Sequence, residues 1–174
     1  MNKTRIFLTK GKNSHGFTLI ELLIVITIIA TLAVAVFVAL NPARRLKDAK
    51  DARRTSDVQT ILTAIHSCIV DGKGTCTGFP AGTLAITQIG TAASGCDGVI
   101  TPIGGAACTV AVAQAACLNL GGTGNPLEKY LKANPIDPDG TAVKTKYTVE
   151  VDANGLVTVK ACGAEGGTLI SASR

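Results

Sequence analysis

From Phe17 to Leu40 the chain runs for 24 residues, FTLIELLIVITIIATLAVAVFVAL, with a single charge at Glu21. A helix of that length reaches about 36 Å at roughly 1.5 Å per residue, enough to cross a hydrocarbon core of about 30 Å. Burying such a helix inside a globule takes more protein than a chain of 174 residues supplies. The run therefore enters a membrane. Four bases and no acid precede it (Lys3, Arg5, Lys10, Lys12), and six bases follow soon after (Arg44, Arg45, Lys47, Lys50, Arg53, Arg54). Bases on both sides leave the orientation open on charge alone.

Asn41-Pro42 interrupts the run, either kinking a continuous helix or starting a new one at its first turn, with Asn41 as cap. Beyond it Leu46, Ala49, Ala52, Val58, Ile61, Leu62, Ile65 and Ile69 recur mostly every three or four residues, an amphipathic helix that ends near Asp71-Gly72. The bases at 44–57 sit among Asp48, Asp51 and Asp57, at spacings that allow i,i+4 pairs Arg44–Asp48, Lys47–Asp51 and Arg53–Asp57. The net charge of +5 belongs to this first third, because from Val58 onward seven bases meet eight acids. No specific nucleic-acid partner is expected, and four Phe, two Tyr and no Trp offer little for base stacking.

The chain after residue 73 is rich in Gly, Ala and Thr. Strand-like pieces fall at Leu84–Ile89 and Val99–Ile103, an alanine-rich helix at Val110–Leu120, and a short helix from Asn125-Pro126 through Lys132. Tyr147–Val151 and Leu156–Ala161 alternate around Asn154-Gly155, a hairpin signal, and Thr168–Ile170 adds a further strand. The expected fold class is α+β, a long N-terminal helix packed through its second half on a small antiparallel sheet. Six cysteines (Cys68, Cys76, Cys96, Cys108, Cys117, Cys162) all lie beyond the apolar run, none as CxxC. They are read as three disulfides made in an oxidising compartment rather than a zinc or redox site. Pairing of near neighbours gives Cys68–Cys76, Cys96–Cys108 and Cys117–Cys162.

The chemistry concentrates at Lys10-Gly11-Lys12-Asn13-Ser14-His15-Gly16-Phe17-Thr18-Leu19-Ile20-Glu21. A carboxylate in a bilayer costs about 2.5–3.5 kcal/mol even on insertion scales, so Glu21 implies a partner. Cleavage after Gly16 would make the Phe17 amine a candidate, more readily on a neighbouring subunit than one turn away on the same helix.

Gly16-Phe17-Thr18-Leu19-Ile20-Glu21-Leu22-Leu23-Ile24-Val25 resembles the cleavage and methylation motif of type IV pilins and type II secretion pseudopilins. The close resemblance covers about residues 14–40. It implies a pilin-like lollipop: leader 1–16, removed by a prepilin peptidase; transmembrane and filament-core helix 17–41; its amphipathic continuation 42–72; and a disulfide-bearing domain 73–174. It further implies cleavage between Gly16 and Phe17 on the cytoplasmic side, N-methylation of Phe17, and assembly through Phe17 and Glu21 of adjacent subunits. The implied partners are the peptidase, membrane lipid before assembly, a pilus or secretion assembly platform, and copies of the chain itself in a helical homopolymer. The implied path runs from a single-pass precursor in the cytoplasmic membrane to an extracellular pilus. His15 stands where the family often has a base, and Pro42 falls a few residues later than the family's proline.

Asn134–Gly140 (NPIDPDG) resembles a Pro/Asp turn of major pseudopilins, which makes Asp137 and Asp139 weak calcium candidates. An ordinary turn needs no ion, and no other cofactor is expected. His66 near Cys68 is an ordinary histidine before it is a ligand. No Gly-x-Ser-x-Gly elbow occurs, and Gly121-Gly122-Thr123-Gly124 lacks the Lys-Ser/Thr of a phosphate loop, so enzymatic activity is not expected. Two rivals differ in class. One is a secreted disulfide-rich binding domain released after Ala33-Val34-Ala35, whose apolar stretch would be too long for a signal peptide and would contain Glu21. The other is an uncleaved anchor carrying such a domain, which leaves Gly16–Glu21 to coincidence.

Overall fold

A computed structural model describes residues 16–100, 108–110 and 115–174. The chain divides into two compact units, Met1–Pro42 and Ala43–Arg174.

In the first unit, helix α1 spans Leu19–Leu40. Thr18 caps its N-terminus in an extended conformation, and Asn41, at φ 40°, closes it in the left-handed region that Asn tolerates. None of its residues is buried.

Helix α2 (Pro42–Asp71), which belongs to the second unit from Ala43 on, opens on Pro42, whose fixed φ and missing N–H suit a first turn. Its buried face is Arg54, Val58, Ile61, Leu62, Ala64, Ile65 and Cys68. This face packs on a four-stranded antiparallel sheet with strand order β1-β4-β5-β6, where β1 is Leu84–Gln88, β4 Tyr147–Val151, β5 Val157–Ala161 and β6 Ile170–Ser173. Between β1 and β4, β2 (Gly98–Ile100) and β3 (Cys108–Val110) form a separate antiparallel pair. The core joins the α2 face to Tyr147, Val149, Val157 and Val159, and to Ile89, Leu120 and Leu127 from the connections. The fold is α+β and pilin-like.

The β4–β5 hairpin follows its alternation, with Val157, Val159 and Ala161 buried and Thr158 and Lys160 half-buried. Asp152 shapes its turn by accepting the Asn154 and Leu156 N–H groups, each at 2.8 Å, and Gly155 takes the positive φ. The last strand lies slightly later than Thr168–Ile170. Strand β2 covers Gly98–Ile100, and positions 101–103 of the expected strand lie outside the described residues.

Three expectations need correction. No helix is present over the described parts of Val110–Leu120, and positions 111–114 lie outside them. Val110 ends β3, the Cys96 N–H bonds Ala115 O, the Cys117 N–H bonds Ala92 O, and Leu118 bridges Ile89. Backbone groups used across the chain in this way are lost to helical i→i−4 bonds, and alanine propensity is too weak to compensate. The short helix from Asn125 to Lys132 is a run of turns, tied by the Leu127 N–H to Leu120 O at 2.8 Å.

The disulfides are Cys68–Cys76, Cys96–Cys117 and Cys108–Cys162. Only the first is a near-neighbour pair. Doubling a loop adds only about 0.6 kcal/mol to its closure, so tertiary placement decides the rest. Paired backbones at 92–96 and 115–118 bring Cys96 to Cys117, and Cys108 on β3 meets Cys162 just past β5.

Candidate functional site

At the start of α1, Gly16, Phe17 and Thr18 are non-helical and exposed, so the expected scissile bond lies in open chain just before the helix. A Cβ built on Gly16 meets nothing within 4 Å. The chain's own packing therefore places no demand for glycine there. Phe17 is 80% exposed.

Thr18 Oγ1 accepts the Glu21 N–H at 3.3 Å, and Thr18 O accepts the Leu22 N–H at 3.2 Å. Thr18-x-x-Glu21 is thus a capping-box sequence with its Ser/Thr half made. Sequence reasoning took Glu21 as a costly intramembrane acid and, by resemblance, as the partner of a neighbouring Phe17 amine. The Thr three residues earlier was the signal for a local role as well. A carboxylate in the first turn also meets the positive end of the helix dipole.

The remainder of α1 is built to be surrounded by an apolar medium. Its large side chains stay exposed from end to end, among them Leu19, Ile24, Ile29, Val36 and Val38. Its two later polar residues satisfy themselves: the Thr27 hydroxyl donates to Ile24 O at 2.8 Å and the Thr31 hydroxyl to Ile28 O at 2.9 Å. A helix in lipid must keep its hydrogen bonds internal in this way. Among the described residues, this is the one helical stretch apolar and long enough to cross a membrane.

The second unit places Asp137 and Asp139 against cations. Arg54, fully buried, donates from Nε to Asp137 Oδ2 at 2.6 Å and from Nη2 to Asp137 Oδ1 at 3.0 Å and Asp139 Oδ2 at 2.8 Å. Its Nη1 donates to Asp51 Oδ1 at 2.8 Å. Lys50 Nζ bridges Asp139 at 2.8 Å and Glu165 at 3.1 Å. Asp51 does not face Lys47 as its spacing suggested; besides Arg54 it accepts the Glu165 and Gly166 N–H groups. Arg53–Asp57 forms, at 3.7 Å.

This cluster ties α2 to the 134–140 turn and the 163–167 connection. Gly163 is required by it, because a Cβ there would lie 2.6 Å from Asp137 Oδ2. Hydrogen bonds donated to Asp137, Asp51 and Asp139 raise the Arg54 pKa, that to Asp137 most, and outweigh the opposing effect of burial. Sequence reasoning missed Arg54, although its position on the row 54, 58, 61, 65, 68 marks a base on the apolar face.

Of the other residues singled out, His66 Nε2 lies 3.1 Å from Arg174 O. The six cysteines are bridged in the second unit, five of them buried and Cys117 half-buried. Among the described residues no group of His, Cys, Asp or Glu is arranged to hold a metal ion.

Residues 11–37 match the family model of the prokaryotic N-terminal methylation motif. No curated protein and no solved structure gives a significant match to the chain.

Proposed function

We propose that the chain is the precursor of a structural subunit of a type IV pilus, cut by a prepilin peptidase between Gly16 and Phe17 and assembled through α1. The premise is the N-terminal methylation motif, the signature of type IV pilins and pseudopilins, together with the apolar helix that fits a membrane-anchored precursor. The observation that carries the reading is the conjunction of an exposed, non-helical Gly16-Phe17, a capped helix start, and Glu21 one turn later.

In this reading the peptidase works on the cytoplasmic side and the new Phe17 amine is methylated. The second unit faces the exterior, where its thiols are oxidised. Alpha helix α1 waits in lipid and then moves into a filament core. Hydrophobic transfer drives little of that step, since both surroundings are apolar, so close packing and polar pairing must fix the register. The Glu21 carboxylate supplies the pairing by meeting the Phe17 amine of an adjacent subunit. The subunit is structural and not an enzyme. Calcium has no part in this reading, in which Asp137 and Asp139 serve as acceptors for Arg54 and Lys50.

The test is intact and peptide mass spectrometry of the chain from membrane and surface fractions. A chain beginning at N-methylated Phe17 and recovered from surface fibres supports the reading. The same terminus found only in the cell envelope selects the pseudopilin of a secretion or competence system. A chain beginning at Val36 means a secreted domain, an intact Met1 means a plain anchor, and either one overturns the proposal.

A further inference from the structure

The disulfides cross. In chain order the six cysteines pair first with second, third with fifth and fourth with sixth, because Cys108 lies inside the loop that Cys96–Cys117 closes and bonds to Cys162 outside it. An oxidant that joins thiols as they emerge from the N-terminal side makes Cys68–Cys76 without difficulty. Cys96, Cys108 and Cys117 then stand exposed together while the 45 residues to Cys162 are still to come, a few seconds at roughly 5–20 residues per second.

Among three free thiols the native pair is the least accessible. Cys108 lies 12 residues from Cys96 and 9 from Cys117, while Cys96 and Cys117 are 21 apart. If closure probability falls as the 3/2 power of loop length, Cys96–Cys117 forms only about one time in seven. The interactions that favour it come later. Pairing of 92–96 with 115–118 belongs to the folded unit, whose Leu118 N–H bonds Gln88 O at the end of β1, and β1 pairs with β4. The native bonds are then enclosed: Cys96, Cys108 and Cys162 are all buried.

We infer that this chain is an obligate substrate of a dithiol-disulfide isomerase, and that isomerisation precedes its functional use. The exchange balances without any net oxidation. From the chain bridged 96–108 and 117–162, an isomerase thiolate attacks Cys108 Sγ, forming a mixed disulfide and releasing the Cys96 thiolate. Cys96 attacks Cys117 Sγ, forming the native bond and releasing the Cys162 thiolate. Cys162 then attacks Cys108 Sγ, forming the second native bond and regenerating the isomerase thiolate. Two disulfides enter and two leave. The earlier oxidation, two electrons and two protons per bond, falls to a disulfide-donating oxidase. The inference requires only that residues 43–174 reach an oxidising compartment, and it holds equally for a pilus subunit, a pseudopilin or an anchored domain.

The full chain is expressed in a bacterial host with an oxidising periplasm, with and without that host's isomerase. Free thiols are alkylated immediately after a pulse label, before misbridged chain is degraded. Peptic digestion at acid pH then maps the bonds, since no Lys or Arg separates Cys96, Cys108 and Cys117 for trypsin. Native Cys96–Cys117 should fall several-fold without isomerase, toward one in seven, with Cys96–Cys108 and Cys108–Cys117 in its place. An unchanged native fraction overturns the inference. The double variant Cys108→Ala/Cys162→Ala removes the crossing and should form Cys96–Cys117 equally in both hosts. Continued dependence on isomerase in that variant also overturns it.

Discussion

Arg54 shows what a single residue does for the second unit. Its guanidinium is fully buried and meets the equally buried Asp137 with two parallel hydrogen bonds. Removing one partner of such a pair leaves the other charge in a dry interior, which costs about 3–5 kcal/mol. Arg54→Met should therefore lower the melting temperature by roughly 10–20 °C, and adding Asp137→Asn should recover part of that loss. Differential scanning calorimetry of the wild type and the two variants checks it, and an Arg54→Met protein that melts like wild type would remove the cluster from the list of stabilising features. Acid should act through the same residues. At Asp51, burial is the largest influence and pushes the pKa up, but the hydrogen bonds from Arg54, Glu165 N–H and Gly166 N–H together hold it below 3.8. Asp139 is lowered chiefly by Lys50 and then by Arg54, and Asp152 chiefly by the Leu156 N–H. Groups depressed by folding bind more protons unfolded, so their stabilisation is present above pH 3.8 and lost as pH falls through their folded values. Melting temperature should be level from pH 6 to 8 and fall below about pH 4; a flat profile to pH 2.5 would contradict the assignment.

At the scale of elements, each disulfide closes a loop of different length, and the chain-entropy model orders their worth. Cys68–Cys76, at a separation of 8, should contribute about 2.6 kcal/mol, Cys96–Cys117, at 21, about 3.4, and Cys108–Cys162, at 54, about 4.2. Paired Cys→Ala variants measured by urea denaturation should lose stability in that order, and the reverse order would show that native packing outweighs loop entropy here. The same elements show where sequence reading succeeds. Helix α2 and the β4–β5 hairpin were legible because their signals are local: a three- and four-residue apolar rhythm, a Pro at the first turn, and Asn154-Gly155 between alternating strands. The Cys68–Cys76 bond was legible for the same reason. The 110–120 stretch was not, because Ala-rich sequence fits several structures and the choice fell to hydrogen bonds with residues 88–96, which no local pattern encodes. Arg54 was hidden likewise, since two of its partners, Asp137 and Asp139, lie 83 and 85 residues away along the chain. At the N-terminus the motif around Gly16, Phe17 and Glu21 was readable because it is local in sequence, and residues 11–37 match the N-terminal methylation motif.

At the scale of the whole molecule, the two units separate the tasks of being stable and being assembled. The second unit holds the buried core, the disulfides and the Arg54 cluster, whereas α1 buries nothing within its own chain. Changes in α1 should therefore leave the folding of residues 43–174 alone, and Glu21 allows its two roles to be told apart. As the third residue of a capping-box sequence whose Thr half is made, Glu21 could be replaced by Gln, which serves equally at that position. As the counter-charge to a neighbouring Phe17 amine it cannot, because Gln brings no charge to that pairing. Glu21→Ala removes the side chain that either role would use, while the N–H at position 21 can still donate to Thr18 Oγ1. If pairing governs assembly, the Glu21→Gln and Glu21→Ala precursors should both be inserted and cut after Gly16. Both should keep the wild-type melting temperature of the second unit, and both should yield at least ten-fold fewer filaments by electron microscopy and shear recovery. If capping governs it, Glu21→Gln should assemble like wild type and Glu21→Ala alone should fail. Full assembly of Glu21→Ala would mean that α1 finds its register by close packing alone, with the carboxylate idle in the filament core.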